Sequence, residues 1–276
     1  MLRRILVVLE GTRFTPWAIR LAVELAGRHG ARVTGLVALD RRRLENVGPI
    51  PAGASIYAER LRAHRIGVRR QAMAGAVRAF REASDAAGVR YEVVEDEGNG
   101  CELVASLSRY YDLTVLGLRG FLECQVGAEH SEASQIRLLG SGIRPVLAVA
   151  GEPRPIRRVL VAYDGSAGAA QAMACFLHLR PWPDVRVRIV TCQDSQREGL
   201  RLLMDAAEYC RAHGWEPETR CVSGPPGREV LAEANRWNAD LVVAGSGTRS
   251  LLRRRCIGKT ALHLMRYSGR PLFLCR

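Results

Sequence analysis

The second half of the chain alternates short apolar runs with amphipathic segments. The runs are rich in leucine and β-branched residues and are nearly continuous, which is typical of strands covered on both faces. The segments between them place apolar residues at helical spacing. The pattern predicts strands over residues 159–163, 185–192, 218–222, 241–244 and 271–275, and helices over 168–179, 198–213, 227–237 and 260–267. Such strand–helix alternation predicts an α/β fold with a doubly wound parallel sheet.

The first half of the chain repeats this pattern. Three segments match between the halves in the same order: RRILVVLEGT at 3–12 with RRVLVAYDGS at 157–166, YDLTVLG at 111–117 with ADLVVAG at 239–245, and RPVL at 144–147 with RPLF at 270–273. Three ordered matches indicate two copies of one domain. We therefore predict two tandem Rossmann-like domains, over residues 1–151 and 155–276, each with a five-stranded parallel sheet flanked by helices.

The two copies differ in length near their beginning. The offset between matched segments falls from 154 to 128 residues, so the first copy carries 26 additional residues between its first and second matches. Residues 40–59 have no obvious counterpart in the second copy, and we predict an inserted loop there. A loop of that length within a compact domain is often functional or mobile.

The last predicted strand of each copy, 143–149 and 271–275, is apolar and would form a sheet edge. Apolar edges tend to be covered or paired in native proteins. The sequence therefore predicts that the two copies pair with each other as a pseudo-dimer within one chain. Further pairing into a homodimer stays open.

Composition and charge narrow the class of protein. The 276 residues are 47% hydrophobic and 25% charged, as in an ordinary two-domain globular chain. A net charge of +13 suggests nucleic acid, but Lys259 is the single lysine beside forty scattered arginines, which favours genome composition as the cause. No apolar run reaches the roughly 20 residues of a membrane helix, and 5–9 is too short for a secretory core. We predict a cytoplasmic protein with no membrane or nucleic-acid partner.

The eight cysteines lack the spacing of a disulfide framework or a metal site. No pair has C-x-x-C spacing, and none stands beside a histidine at ligand spacing. We therefore predict reduced cysteines and no metal centre.

Candidate chemistry follows the strands of the second copy, because ligands of doubly wound sheets bind beyond the carboxyl ends of the strands. Asp164 follows the first strand, Gly245 and Gly247 follow the fourth, and Gly258-Lys259-Thr260 opens the last helix. Glycines let a ligand approach the backbone, and a helix start offers free N–H groups and a positive dipole end. The pattern predicts a phosphate over Gly258–Thr260 and leaves Asp164 for a ribose hydroxyl or an adenine edge.

Two related motifs fail. A P-loop requires a glycine where Arg253 stands, and a dinucleotide fingerprint requires a third glycine where Ser250 stands. The pattern Asp164…Gly245-x-x-Thr248-(nine residues)-Gly258-Lys259 resembles instead the universal stress protein family, whose site reads Gly-x-x-Gly-(nine residues)-Gly-Ser/Thr and holds ATP or AMP in many members.

The resemblance covers nearly the whole chain twice, and it implies an adenine nucleotide α-hydrolase-like fold in each copy. It implies that Asp164 takes the adenosine moiety and that Val190 lines the adenine slot. It places the following residues around ribose and phosphates: Gly245, Gly247, Thr248, Gly258, Lys259 and Thr260. From its residue type, Asp164 could also bind a Mg²⁺ ion that accompanies ATP. The alternative is that Asp164 caps the following helix or turn.

The chain departs from the family pattern in both copies. In the second copy Thr248 replaces the second glycine and Lys259 replaces the Ser/Thr. In the first copy Glu10 replaces the aspartate, and His130 stands where the later glycine is expected, although Gly117 and Gly120 are kept. Carboxylates at 123, 129 and 132 would repel a phosphate there. The first copy therefore predicts a degenerate site.

Three functions are compatible with these patterns. The leading hypothesis is a regulatory stress protein that binds an adenine nucleotide in its second copy and acts on a protein partner, with no catalytic residue assigned and at most slow ATP hydrolysis. The alternative is a ligand-free interaction protein with both sites degenerate. An enzyme acting on an adenylated or phosphorylated substrate rests on fold analogy alone.

Overall fold

The structure is a computed structural model that describes residues 1–40, 44–46, 53–118, 144–152, 154–247 and 258–276. The strands, in chain order, are β1 (Arg4–Val8), β2 (Arg32–Leu39), β3 (Tyr91–Glu97), β4 (Leu113–Gly117), β5 (Val146–Val149), β6 (Arg158–Ala162), β7 (Arg186–Cys192), β8 (Glu218–Val222), β9 (Leu241–Gly245) and β10 (Leu272–Cys275). The helices are α1 (Thr15–His29), α2 (Ser55–Ala86), α3 (Gly100–Leu107), α4 (Ala167–Leu179), α5 (Gln196–Ala212), α6 (Pro226–Arg236) and α7 (Lys259–Tyr267). Every strand and helix predicted for the second half is confirmed to within two residues.

The ten strands form one sheet in the order β3-β2-β1-β4-β5-β10-β9-β6-β7-β8. Neighbouring strands within each half are parallel, which confirms the predicted five-stranded parallel sheets. β5 and β10 pair antiparallel, with Phe273 opposite Leu147. Each of these apolar strands covers the edge of the other, so the two halves pair within the chain as predicted.

Helices cover both faces of the sheet. One apolar cluster contains buried residues of α1, α2, α4 and α5, and the other contains residues of α3, α6 and α7. Because both faces are covered, the inner strands are nearly continuous apolar runs rather than alternating, whereas the edge strands β3 and β8 carry polar residues. The helices leave the carboxyl ends of the strands and the helix starts that follow them uncovered, and ligands of this architecture bind there.

Side chains outside the helices define several helix starts. Asn99 accepts hydrogen bonds from the Cys101 and Glu102 amides at the start of α3. Ser166 accepts from the Ala169 amide at the start of α4, and Ser195 accepts from the Glu198 amide at the start of α5. Each cap satisfies an amide that has no partner within its own helix.

The predicted loop over residues 40–59 is wrong at its C-terminal end. Ser55–Glu59 form the beginning of α2, a helix of 32 residues, whereas its counterpart α5 has 17. The additional residues of the first half are therefore divided between a connection and a lengthened helix. Residues 41–43 and 47–52 of the predicted loop lie outside the described residues.

Candidate functional site

The turn between β6 and α4 holds Asp164. The side chain is half-buried, and its Oδ1 accepts a hydrogen bond from the Ser166 amide at 3.0 Å. Gly165 between them has a φ of +75°, a conformation that favours glycine. One carboxylate oxygen therefore shapes the turn, which is the capping role that short acidic side chains often play at such positions.

The end of β9 lies directly against the first turn of α4. A Cβ atom on Gly245 would lie 2.5 Å from the carbonyl carbon of Gly168 and 2.7 Å from the amide nitrogen of Ala169. Close packing between strand and helix therefore requires glycine at 245. Sequence reasoning missed Gly168. The signal that could have found it is a second glycine soon after Gly165, at the start of the helix that follows β6.

Gly247 has more space than Gly245. A Cβ atom at Gly247 would meet one neighbour within 4 Å, the Cγ atom of Arg276 at 3.9 Å. Packing among the described residues therefore does not demand glycine here. Its bare backbone is available for the close approach of a ligand, as the sequence predicts for this position.

The start of α7 is held against this strand-end loop. The Gly258 amide donates to the Ser246 carbonyl at 3.1 Å, and a Cβ atom on Gly258 would lie 2.7 Å from the carbonyl oxygen of Gly247. The structure thus brings together the two glycine segments that lie more than ten residues apart in sequence. We call residues 163–166, 245–247 and 258–260 the strand-end site.

The first amides of α7 are the anion-binding element of this site. The helical hydrogen-bond ladder begins with the Leu262 amide donating to Gly258, so the amides of Lys259, Thr260 and Ala261 precede it. The N-cap residue Gly258 has no side chain that could cap this helix start. Lys259 is exposed and makes no ion pair with any described residue, and Thr260 is half-buried. Aligned amides, a positive dipole end and one ammonium group favour a negatively charged ligand.

Ser246 is a second residue that sequence reasoning missed. It is buried, its amide donates to the Cys275 carbonyl at 2.8 Å, and its hydroxyl reaches the same oxygen at 3.3 Å. Ser246 therefore fixes the strand-end loop to the last strand. A polar residue between two glycines after an apolar strand is the signal that could have found it.

Val190 lies near the strand-end site, but within the core. It stands opposite Ala162 in the sheet register and is 1% exposed. Its proposed contact with adenine stays a prediction. Thr248 and the arginines at 253–255 lie outside the described residues.

The corresponding turn of the first half is covered by α2. A Cβ atom on Gly11 would lie 2.6 Å from the backbone carbonyl carbon of Ala72, whereas Gly165 in the second half faces the end of a side chain, Leu202 Cδ2, at 2.9 Å. Phe14 takes the place of Gly168, since its Cβ lies 2.7 Å from a Cβ position on Gly117. The backbone of α2 and the Cβ atom of Phe14 thus occupy space at this turn, which supports the interpretation of a degenerate first site.

Glu10 of this turn is buried, and one of its two carboxylate oxygens lacks a hydrogen-bond partner among the described residues. Its Oε2 atom is shielded from solvent and makes no hydrogen bond with any described residue. Burial raises the pKa of the Glu10 carboxyl to about 8, although the charge of Arg69 on α2 opposes the shift. Gly120 and the later positions 123–132 of the first copy lie outside the described residues.

The described part of the chain offers neither a metal cluster nor a membrane helix. No group of three or more His, Cys, Asp or Glu residues there is arranged to hold a metal ion. None of its helices is both long and apolar enough to cross a bilayer. The cysteines that the structure describes form no disulfide with one another: Cys101, Cys175, Cys192, Cys210, Cys221 and Cys275.

Comparison with known proteins identifies relatives over both halves. The sequence profile of the universal stress protein family matches residues 1–151 and 194–276. Universal stress protein Slr1230 of Synechocystis sp. is 24% identical over 188 residues, which cover 67% of this chain and 65% of that protein, just under two thirds of its length.

A solved structure of similar length shares the fold. A universal stress protein from Archaeoglobus fulgidus is 19% identical, with a TM-score of 0.69 over 99% of this chain and 98% of its own. A universal stress protein family protein from Arabidopsis thaliana with AMP bound is 19% identical and covers 43% of this chain and 90% of its own, with a TM-score of 0.36.

Proposed function

Since the chain belongs to the universal stress protein family, we propose that its second half binds an adenine nucleotide, ATP or AMP, at the strand-end site. The observation that carries this proposal is the contact between Gly258 and the loop of Ser246 and Gly247. It places the uncapped start of α7 beside a strand end that has no side chains at 245 and 247. An anion over that helix start would meet several amides at once.

The proposal assigns a role to each described residue. The amides of Lys259 and Thr260 bind phosphate oxygens, the Lys259 ammonium adds a point charge, and the Thr260 hydroxyl adds a donor. Gly245 and Gly247 let the sugar and phosphates approach the backbone. Asp164 accepts from the adenosine moiety, and Mg²⁺ would accompany ATP through the same carboxylate.

We propose binding without turnover. Asp164 already accepts the Ser166 amide, so one of its oxygens serves the turn instead of activating water. A nucleotide that bridges the β6–α4 turn, the β9 loop and the start of α7 would stabilise one arrangement of these elements. Such a bias is sufficient for a regulatory role toward a protein partner.

The first experiment extracts small molecules from natively purified protein, identifies them by mass spectrometry, and titrates ATP and AMP by calorimetry. Gly258→Glu is a poor test variant, because its Cβ would lie 2.7 Å from the Gly247 carbonyl oxygen. Lys259→Glu is better, since the side chain is exposed and an acidic residue at a helix start is tolerated.

We expect Lys259→Glu to lower ATP affinity at least tenfold, which corresponds to about 1.4 kcal/mol. Arg60→Glu makes the same charge change on an exposed position of α2 in the other half and should leave affinity unchanged. Absence of ATP and AMP binding up to millimolar concentration in the unaltered protein would refute the proposal.

The second candidate is a ligand-free interaction protein. It is favoured by α2, the lengthened helix of the first half, which exposes Ile56 and Tyr57 by 66% and 70%. Large apolar side chains near one helix end are suited to contact with another protein. This candidate predicts no co-purifying nucleotide and no thermal shift with one, whereas a stoichiometric bound nucleotide would exclude it.

A further inference from the structure

A cleft of about 420 Å³ separates α1 of the first half from the segments that enter β6 and β7 in the second half. We call it the arginine cleft, because its charged lining consists of four arginines and two carboxylates: Arg20, Arg28, Arg154, Arg157, Glu24 and Asp184. Its volume lies within the usual range for small-molecule sites. It is distinct from the strand-end site, with which it shares no residue.

The ion pairs of the four cleft arginines differ. The Nη2 atom of Arg28 lies 3.6 Å from the Glu24 carboxylate, and Nη1 of Arg20 lies 3.9 Å from Glu152. Both separations exceed the 2.7–2.9 Å of good charge-assisted hydrogen bonds. The side chains of Arg154 and Arg157 make no ion pair with any described residue. The guanidinium donors of Arg154 and Arg157 are therefore available to a ligand.

The backbone that carries Arg154 and Arg157 is held in place. Pro155 between them has a restricted φ, and Ile156 is buried in the core. The Arg157 amide donates to the Asp240 carboxylate at 2.9 Å. Both arginines are exposed on either side of this anchored dipeptide. Ordering them around a ligand therefore costs side-chain entropy but little backbone entropy.

The two carboxylates do not cancel this charge. Glu24 accepts a hydrogen bond from the Trp182 indole at 3.2 Å in addition to its contact with Arg28, so it is engaged by its own surroundings. Asp184 is exposed and is the group on the lining that opposes an anion. Four guanidinium groups against these two carboxylates and Glu152, the ion-pair partner of Arg20, still leave the cleft positive.

We propose that the arginine cleft binds a small ligand with two adjacent phosphate groups, such as inorganic pyrophosphate. Guanidinium groups match phosphate oxygens in a bidentate way, and the arginines approach as two pairs from two elements. One phosphate would face Arg20 and Arg28 of α1, and the other would face Arg154 and Arg157. The ligand would therefore tie the first half to the second.

The test is a calorimetric titration with pyrophosphate at ionic strength held constant with sodium chloride. We expect saturable binding that falls at least tenfold in the double variant Arg154→Gln/Arg157→Gln. The matched double variant Arg197→Gln/Arg201→Gln removes two exposed arginines on α5 outside the cleft and should bind normally. Asp184→Asn removes the opposing charge and should tighten binding severalfold.

Lys259→Glu separates this proposal from nucleotide binding, because it alters the strand-end site alone. The arginine cleft is supported if Lys259→Glu still binds pyrophosphate. Pyrophosphate should also raise the melting temperature of Lys259→Glu but not that of the double variant Arg154→Gln/Arg157→Gln. The proposal is overturned if pyrophosphate shows no saturable binding or if Lys259→Glu abolishes that binding. It is also overturned if all arginine variants lose affinity equally, or if the protein binds duplex DNA more tightly than pyrophosphate.

Discussion

A Cβ atom on Gly245 would lie 2.5 Å from the carbonyl carbon of Gly168, so the end of β9 and the first turn of α4 meet without an intervening side chain. The contact holds the end of β9 against the first turn of α4, next to the strand-end site. It also separates the two reasons for glycine in this loop, since Gly245 is required by packing whereas Gly247 leaves its backbone open.

Replacing Gly245 and Gly247 by alanine should therefore have different effects. Gly245→Ala forces a backbone shift and should lower the free energy of unfolding by about 1–3 kcal/mol, the usual cost of overpacking. Gly247→Ala should change stability by less than about 0.5 kcal/mol and instead weaken nucleotide binding. Urea denaturation of both variants measures the difference. Equal destabilisation by both variants would contradict the packing argument.

Asp164→Asn tests whether one carboxylate oxygen holds the turn while the carboxylate also accepts from a bound nucleotide. The amide oxygen of asparagine can still accept from the Ser166 N–H, so the turn and the stability should be kept. The amide NH₂ cannot accept from the adenosine moiety, so ATP and AMP affinity should fall about tenfold, as expected for one lost hydrogen bond with a charged group. Calorimetry measures affinity, and Asp164→Ala, which loses the turn contact as well, is the comparison. Unchanged affinity in both variants would remove Asp164 from the site.

Glu10 should make stability depend on pH. Its pKa is about 8 in the folded chain against an ordinary value of 4.5, so folding keeps a proton that the unfolded chain releases between these values. The free energy of unfolding should therefore fall as pH rises from about 4.5 to 8 and level off above it. In Glu10→Gln, which mimics the protonated carboxyl, that fall should be smaller.

The measurement is urea denaturation at several pH values between 5 and 8.5. Glu10→Gln should gain stability over the unaltered protein as pH rises, by an amount on the order of a few kcal/mol at pH 8. Glu208→Gln, at an exposed position of α5, should keep the original pH profile. Parallel profiles for Glu10→Gln and the unaltered protein would show that Glu10 is ionised in the folded state.

Glu233 should stabilise the second half more than an exposed carboxylate does. Its side chain is 1% exposed, and its Oε1 accepts from Arg188 Nη1 at 2.8 Å, while Arg236 pairs with its other oxygen. Glu233→Ala leaves Arg188 with Glu218 as its remaining partner and leaves Arg236 to solvent, so the loss of the charge-assisted hydrogen bonds should cost about 1.5–3 kcal/mol. Glu216→Ala breaks an exposed pair with Arg211 and should cost less than about 1 kcal/mol. Similar denaturation midpoints for the two variants would contradict this.

The sequence by itself determined the duplication, the class of fold and the elements of the second half. Local periodicity is sufficient for these features. A strand covered on both faces appears in the sequence as an apolar run, and a helix with one apolar face appears as apolar residues at helical spacing. The glycine spacing also indicated that residues 245–247 and 258–260 belong to one site. Pairing of β5 with β10 followed from two apolar strands that would otherwise be exposed edges.

Tertiary structure alone decided why individual residues stand in that site. Gly245 serves the contact with Gly168, Asp164 gives one oxygen to its own turn, and α2 covers Gly11 in the first half. The sequence also placed a loop where α2 begins at Ser55. These outcomes depend on distances between segments far apart in the chain, and a one-dimensional pattern records residue types but not which backbone lies against which.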